Sequence, residues 1–445
     1  MSRVYFPEAR VVVRAIVENF SESNRPIDFP VIPKSLQIVR NSYKQPDSWN
    51  VEFDAKDFPI PPSLLRAAQV SIYLYNNQGL TINRTIATQD TPAIVGLIDS
   101  VETEFSSDGR SVRFEGQDYT ALFTEHKFNR RRNLTNLRLD QAIDSLRKEV
   151  DITNQMRLVT EIPFPVSQLP VIGRSVSRTN RRGFPIKPGD NYWNVMYDLA
   201  LKHGFILFVR DLDLVLATPN SIIEESTRDT SRTFRLSWGK NIEQISVSRQ
   251  MGKERVPQIE VISYDEKDRK PIVGRFPERR QKVTMGVGTK RNEVIVSVLR
   301  GITDEAILRR LAEVQYTLLA RTEQTVEFST RELVDEGDAD LLFLRTGDSF
   351  FVAFDPFNAE ELRRQPAAQR AQWLVDRGFT PQAANVFANH FEQLNTFKRP
   401  FYVREANIEW SHDSGLTLSA NVANFVNVEG TQESGEVSGG VAENV

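Results

Sequence analysis

Residues 402–424 read Tyr402-Val403-Arg404-Glu405-Ala406-Asn407-Ile408-Glu409-Trp410-Ser411, then His412-Asp413-Ser414-Gly415, then Leu416-Thr417-Leu418-Ser419-Ala420-Asn421-Val422-Ala423-Asn424. Two strand-forming runs flank four residues suited to a tight turn, so the segment predicts a β-hairpin. Working back from it, Ile242 to Arg249, Gln258 to Tyr264, Glu293 to Val298, Gln324 to Phe328 and Ser349 to Phe354 also read as strands, with Asp265-Glu266-Lys267-Asp268 as a polar turn. Together they predict a β domain over residues 221–428. Within it Thr303 is placed to cap a helix over 303–320, with Ile302 and Ile307 as a hydrophobic staple and Ile307, Leu311, Val314 and Leu318 as the buried stripe.

A second interruption covers residues 357–397. Asn358-Ala359-Glu360-Glu361 fits a capping box with Phe357 and Leu362 as its staple, while Gly378 followed by Thr380-Pro381 ends one helix and starts another. The expectation is an inserted helical hairpin packed by Trp373, Leu374, Phe387, Phe391 and Leu394. It reads either as a self-packed decoration or as a protrusion that touches another protein. Residues 429–445 are Gly, Ser and Glu with almost nothing to bury, which predicts a mobile tail unless a partner orders it.

Residues 1–125 repeat the strand signal. Ala9 to Val17, Ser35 to Asn41, Asn50 to Asp54, Gln69 to Asn76, Ile94 to Glu104 and Ser111 to Gln117 are short runs at even spacing, as in a barrel or sandwich. Pro59, Pro61 and Pro62 mark a connection, and Asn76-Asn77-Gln78-Gly79 and Ser107-Asp108-Gly109-Arg110 read as hairpin turns. Between the β regions, residues 126–220 change period. Leu139, Ala142, Ile143, Leu146 and Val150 recur at three- and four-residue steps on one helix face. A Pro-rich connection runs from Pro163 to Pro188. Asp190 is then the expected cap of a helix burying Trp193, Met196, Leu199 and Ala200 and stopped by Gly204. A hairpin, Phe205 to Arg210 and Leu214 to Thr218 about Asp211-Leu212-Asp213, completes a small α+β unit.

Length and composition restrict function. A chain of 445 residues needs more than one core, and its 40% hydrophobic share with 27 Phe can fill several. The formal charge is only -3, with 56 Lys and Arg against 59 Asp and Glu, so no single-sign field favours nucleic acid or an anionic membrane. Cysteine is absent, which removes disulfides, thiolate metal sites and a cysteine nucleophile. Apolar runs such as Phe205 to Val209 are far shorter than the ~20 residues that span a bilayer, and the first residues carry no signal-peptide pattern. A soluble chain with no membrane partner is expected.

No catalytic, cofactor-binding or metal-binding residue is nominated. His126, His203, His390 and His412 are scattered without ligand spacing, and His203 precedes a helix-ending Gly where a partly charged imidazole suits the dipole. Gly286-Val287-Gly288-Thr289-Lys290 is too short for a phosphate loop and reads as a turn. Asp211 with Asp213, and Asp338 with Asp340, fall in predicted turns where Asp is common. Arg130-Arg131-Arg132, Arg181-Arg182 and Arg279-Arg280 could meet an acidic partner but read first as solvated loop charge. Trp193 and Trp373 lie on predicted helix faces, which suits core packing better than a sugar platform.

Several segments resemble the central hub proteins of contractile phage baseplates and related injection systems, the late-control tail protein family. These are Gly189-Asp190-Asn191-Tyr192-Trp193 through Ala200, Gly204 to Leu216, Thr303 through Arg321, Gly347-Asp348-Ser349-Phe350-Phe351-Val352, Ala406 to Trp410 and Leu416 to Phe425. The resemblance spans residues 1–428 and excludes the 357–397 insertion. It implies a mainly β chain with two antiparallel, tail-tube-like β-barrel domains, at 1–125 and 221–428, around an α+β middle. It further implies a homotrimer that adapts a sixfold tube to a threefold spike in the virion tail, assembled in the host cytoplasm. Partners would be a tube or tube-initiator protein on one face, a spike on the other and a tape measure protein in the lumen. No enzyme activity, cofactor or sequence-specific nucleic acid is expected. The readings set beside this one are a tail-associated cell-wall hydrolase or glycan-binding module, and a distal-tail or tube protein with the same barrel.

Overall fold

The computed structural model describes residues 5–18, 26–41, 44–78, 91–106, 109–152, 154–162, 165–172, 184–218, 233–237, 242–249, 258–265, 270–279, 283–284, 290–291, 295–298, 304–320, 324–330, 349–353, 365–390 and 401–424. The chain folds into two compact units, each assembled from separate stretches. The first comprises 1–121, 222–246 and 326–422, and the second 122–221, 247–325 and 423–445.

The first unit opens with β1 (Tyr5–Val17), β2 (Ile27–Val31), β3 (Ser35–Arg40), β4 (Ser48–Asp54), β5 (Leu65–Gln78), β6 (Ile94–Ser106) and β7 (Gly109–Asp118). Strict alternation builds these strands. Leu36, Ile38 and Arg40 are buried along β3 and Trp49, Val51 and Phe53 along β4, with intermediate positions between them. The sequence pattern predicts every strand here except β2, whose Pro30 masks its signal. Asn76, Asn77 and Gln78 are not a turn: they extend β5 opposite Pro7, Phe6 and Tyr5. The expected connection at Pro59 to Pro62 leads into a single 3-10 turn over Pro62–Leu64.

The second unit begins with α1 (Thr120–Glu125), β8 (Arg132–Leu134), β9 (Leu137–Arg138), α2 (Leu139–Val150), β10 (Arg157–Glu161), β11 (Val171–Ile172), β12 (Phe184–Ile186), α3 (Tyr192–Lys202), β13 (Ile206–Arg210) and β14 (Asp213–Ala217). All five residues of the predicted α2 stripe are buried. The cap of α3 is Asn191 rather than Asp190, its side chain accepting from the Asn194 amide at 2.7 Å. Asp190 instead accepts from the Lys187 amide and closes the preceding turn. The β13–β14 hairpin turns at Asp211, with φ +56°, and β14 also pairs in parallel with β10, a strand that the sequence pattern does not reveal.

Downstream come β15 (Thr233–Ser237), β16 (Gln244–Arg249), β17 (Ile259–Asp265), β18 (Lys270–Phe276), β19 (Val283–Thr284), β20 (Lys290–Arg291), β21 (Ile295–Val298), α4 (Glu305–Ala320), β22 (Gln324–Thr330) and β23 (Ser349–Ala353). The chain ends in α5 (Ala367–Val375), α6 (Pro381–His390), β24 (Phe401–Ser411) and β25 (Gly415–Asn424). β18, β17 and β21 form a small sheet under α4, whose buried residues are Leu308, Leu311, Ala312 and Tyr316. Asp304 accepts from the Ala306 amide at its start, whereas Ile302 and Thr303 lie outside the described residues.

The α5–α6 hairpin forms as predicted across Gly378, and Thr380 caps α6 through the Ala383 amide. Its packing differs from expectation. Ala371, Ala384 and Ala388 are the buried contacts, with Leu374 and Val375 beside them, because small residues let two short helices approach closely. Trp373 stays half-buried with the Arg377 guanidinium 3.7 Å from its ring. Phe387, Phe391, Leu394, the 358–361 capping box and the 429–445 tail lie outside the described side chains.

Thirteen strands join in one sheet of the order β16-β22-β25-β24-β3-β4-β7-β6-β5-β1-β2, with β15 and β23 branching from β24. The antiparallel pairing of β24 with β3 makes it continuous, setting Ala406 opposite Arg40 and Trp410 opposite Leu36. The fold is thus mainly β with helices, on a large and chiefly antiparallel sheet. Among the described residues no sheet closes on itself, so the two closed barrels expected from the resemblance are absent from the described pairings. The sheet does curl strongly. In path order β2 lies five strands from β4, a flat separation of roughly 24 Å. Yet Phe29 of β2 and Phe53 of β4 both meet the ring of Phe58, at 5.6 and 5.8 Å between centroids, and Phe114 of β7 meets it at 5.0 Å. Such curvature wraps one face of the sheet around a core, where each fully buried Phe contributes about 1.5–3 kcal/mol.

Candidate assembly surfaces

Alternation that buries one face of the sheet presents the other to solvent. On β3, β4 and β24 this outer face carries a ladder of amides and carboxylates. Gln37 donates to Asn407 and Glu409, both at 3.0 Å, Asn50 donates to Gln37 at 2.9 Å, and Asn407 donates to Glu409 at 2.7 Å. Beyond the ladder a groove of ≈ 410 Å³ crosses β3, β24, β25, β22 and β16, lined by side chains such as Asn407, Ser419, Asn421, Glu327, Ser329 and Gln244. It contains no aromatic platform apart from a flank of Phe328, whose ring is buried on the opposite face.

The sheet also has open ends. β2 pairs only with β1, and β16 only with β22, among the described residues. β6 follows β5 only from Ile94 to Leu97; past a bulge between Ile98 and Ser100 it continues as an edge strand on β7, and its last two pairs, Phe105 with Arg110 and Ser106 with Gly109, run beyond β4 as a short two-stranded ribbon. Some of the exposed large apolar side chains lie at these places, while Ile152, Val296 and Phe379 lie elsewhere. Ile27 and Ile32 flank β2 at 39% and 49% exposure, Phe105 tips the ribbon at 68%, and Val247 sits on β16 at 39%. A strand edge that displays apolar side chains is a pairing hazard unless an assembly covers it.

The catalytic readings find little geometry. His126 is exposed with Nδ1 on the Leu122 carbonyl, and His412 is exposed beside Trp410. His203 departs from expectation: burial, with a smaller push from Lys202, lowers its pKa to about 4, so the imidazole is neutral at pH 7 and its Nδ1 is buried without a partner. Desolvation therefore outweighs the helix dipole, which rewards a charge only where water or a partner can hold it. Asp213 is a strand residue paired with Arg157, and Asp211 occupies the turn. Arg132 pairs with Glu149, while Arg130, Arg131 and Arg279 are exposed. Asp338, Asp340, Arg181, Arg182, Arg280 and Gly286 to Thr289 lie outside the described residues. Among those described, no three His, Asp or Glu side chains are placed to share a metal, and no helix is long and apolar enough to cross a membrane. Trp193 is a core residue at 1% exposure.

The comparisons with solved structures meet this geometry over nearly the whole chain. The tail protein from Neisseria meningitidis MC58 superposes with a TM-score of 0.55 at 12% identity, covering 94% of this chain and 97% of that one. The 43 kDa tail protein of prophage MuSo2 from Shewanella oneidensis gives 0.52 at 11% identity, covering 94% and 98%. This chain has the fold of phage tail proteins. No family model matches its sequence, and no curated protein does either.

One buried charge group ties this sheet together. Arg40 of β3 pairs with Asp47 at 2.8 Å and donates to the Ala93 carbonyl; Asp47 accepts from the Asn41 amide at 2.8 Å, and its own carbonyl accepts from the Asp118 amide at 2.9 Å. Asp118, at the end of β7, is buried and accepts from the Thr120 amide at 2.9 Å. Burial, reinforced by the Asp47 carboxylate, pushes its pKa up to about 8 against the opposing pull of the Thr120 hydrogen bonds. The folded chain consequently holds a proton that the unfolded chain releases near pH 4, and stability falls as pH rises from about 4 to about 8. Asp118→Asn keeps an acceptor for Thr120 without the ionisation. We expect its melting temperature to exceed that of the parent by on the order of 5 °C at pH 9, with the gap vanishing near pH 4, as read by thermal denaturation across that range.

Proposed function

We propose that this chain is a structural hub of a phage-type tail or contractile injection device, a homotrimer that joins the tail tube to the spike and contributes to the wall of the central channel. The observation that carries the reading is a tail-protein fold whose continuous sheet ends in open strands bearing exposed apolar side chains. Copies placed edge to edge cover those strands, and a repeated head-to-tail contact that closes gives a ring.

In this reading residues 1–125 and 221–428 supply two barrel-like parts per chain, six per trimer, and residues 126–220 link them. The strong curl around Phe58 supports a barrel-like first part, and the β24–β3 pairing joins strands of both parts in one sheet. The polar outer face suits a hydrated wall, since its amides and carboxylates offer hydrogen bonds without apolar adhesion. A tube or tube initiator would stack on one end of the ring and a spike on the other, with a tape measure protein as a further lumen partner, and the product would reside in the virion tail. The work is mechanical and not enzymatic. Light scattering on the purified chain tests this: a species of three times the 50.8 kDa chain mass is expected. A single chain at every concentration up to those of assembly would contradict it, as would release of fragments from purified peptidoglycan.

A further inference from the structure

We propose that the groove across β3, β24, β25, β22 and β16 is a docking site for an extended cationic polypeptide segment, one that lays Lys or Arg side chains between Glu327 and Glu405. The site does not depend on the chain forming a ring.

Three observations carry it. First, the groove is a concavity of ≈ 410 Å³ that crosses five neighbouring strands, so its occupant is elongated. Second, its ionisable lining is of one sign. Glu327 and Glu405 both line it, and among the described residues neither makes an ion pair or side-chain hydrogen bond and no Lys, Arg or His joins the lining. Other carboxylates of this face are engaged: Glu52 pairs with Lys34, Glu115 with Arg113, and Glu409 accepts from the Gln37 and Asn407 amides. Third, the groove holds an acceptor in want of a donor. Asn421 Oδ1 is buried from water and makes no hydrogen bond, although Asn421 forms part of the lining. A buried unpaired acceptor costs about as much as a lost hydrogen bond until a donor reaches it.

Cationic side chains meet all of these demands. Ammonium and guanidinium groups are pure donors, matching the two free carboxylates, an extended backbone adds donors for Ser329, Ser419 and Gln244, and the Asn421 amide oxygen meets a donor once its side chain turns into the groove. The same lining disfavours nucleic acid, because it offers phosphate no counter-charge. A saccharide is also disfavoured, since the groove has no exposed aromatic face on which a sugar ring would stack.

The experiment uses the full chain and fluorescein-labelled octalysine, read by fluorescence anisotropy at low salt. Saturable binding is expected, weakened by added salt as exposed charge contacts are. The double variant E327Q/E405Q should lose about tenfold in affinity. The control E102Q/E104Q removes equal charge from the exposed edge strand β6 and should bind as the parent does. Octaglutamate and a 20-nucleotide single-stranded DNA should not bind. A second variant, Ser419→Phe, fills the groove without altering charge and should also weaken binding, with thermal melts showing that both groove variants remain folded. Equal losses in the groove and β6 variants would mean non-specific attraction and overturn the proposal. So would binding of the DNA in place of octalysine, or no binding of octalysine at all.

Discussion

Gly116→Ala should cost the first unit more than about 4 kcal/mol and leave little folded protein at 37 °C, a larger loss than most core truncations produce. Gly116 of β7 sits directly opposite Trp49 of β4 and next to Ile98 of β6, and the indole lies flat over the strand. A β-carbon there would stand 2.5 Å from Trp49 Cζ2 and closer still to the Leu97 carbonyl oxygen. Neither can retreat. The Leu97 oxygen belongs to the sheet backbone, while the indole is 3% exposed and its Nε1 donates to the Gln117 carbonyl at 3.3 Å. Gly96 faces the same ring, so the two glycines form the seat in which Trp49 rests. Chemical denaturation followed by tryptophan fluorescence measures the loss. Trp49→Phe should be far milder, and should relieve Gly116→Ala only in part, because it removes the indole collision and leaves the one with the Leu97 carbonyl oxygen.

Gly274→Ala should have an effect of similar size in the second unit. At this point β18 meets α4 with backbone against backbone: an added β-carbon would lie 2.5 Å from the Leu308 carbonyl oxygen and nearer still to the Leu308–Arg309 peptide. Relief would require the whole helix to lift from the sheet. That would uncover Leu308, Leu311 and Ala312, which are packed against Ile259 and Val261. The expected result is a loss of more than about 4 kcal/mol, with hydrogen exchange in α4 and β17 accelerated while β1 to β7 keep their protection. Unchanged exchange in α4 would show that the helix stands farther from the sheet than these contacts require.

Much of this architecture is legible in the sequence, because local patterns report local structure. Ile38 and Leu36, or Val112 and Phe114, alternate with polar residues and mark half-buried strands; the stripe from Leu139 to Val150 marks α2 in the same way. What stays hidden is non-local. β10 and β18 are recognisable only once their partners β14 and β17 are in place, and the junction of β24 with β3 brings together residues some 370 positions apart. No periodicity encodes such a pairing. Side-chain roles that depend on surroundings are hidden too. His203 looks like a helix-end cation until its burial is seen, and Trp373 looks like core until Ala371, Ala384 and Ala388 are found to fill that place. The groove escapes sequence reading altogether: Glu327, Glu405 and Asn421 come from three strands, each in ordinary alternation, and only the sheet order makes them neighbours.

Electron cryomicroscopy of the intact particle, with the chain labelled by a fused tag, tests the assignment most directly. The hub reading predicts three copies around the central axis where tube gives way to spike, with β2 and β16 covered by neighbouring copies. Label at the periphery of the tail, or isolated subunits with those edges exposed to solvent, would contradict it.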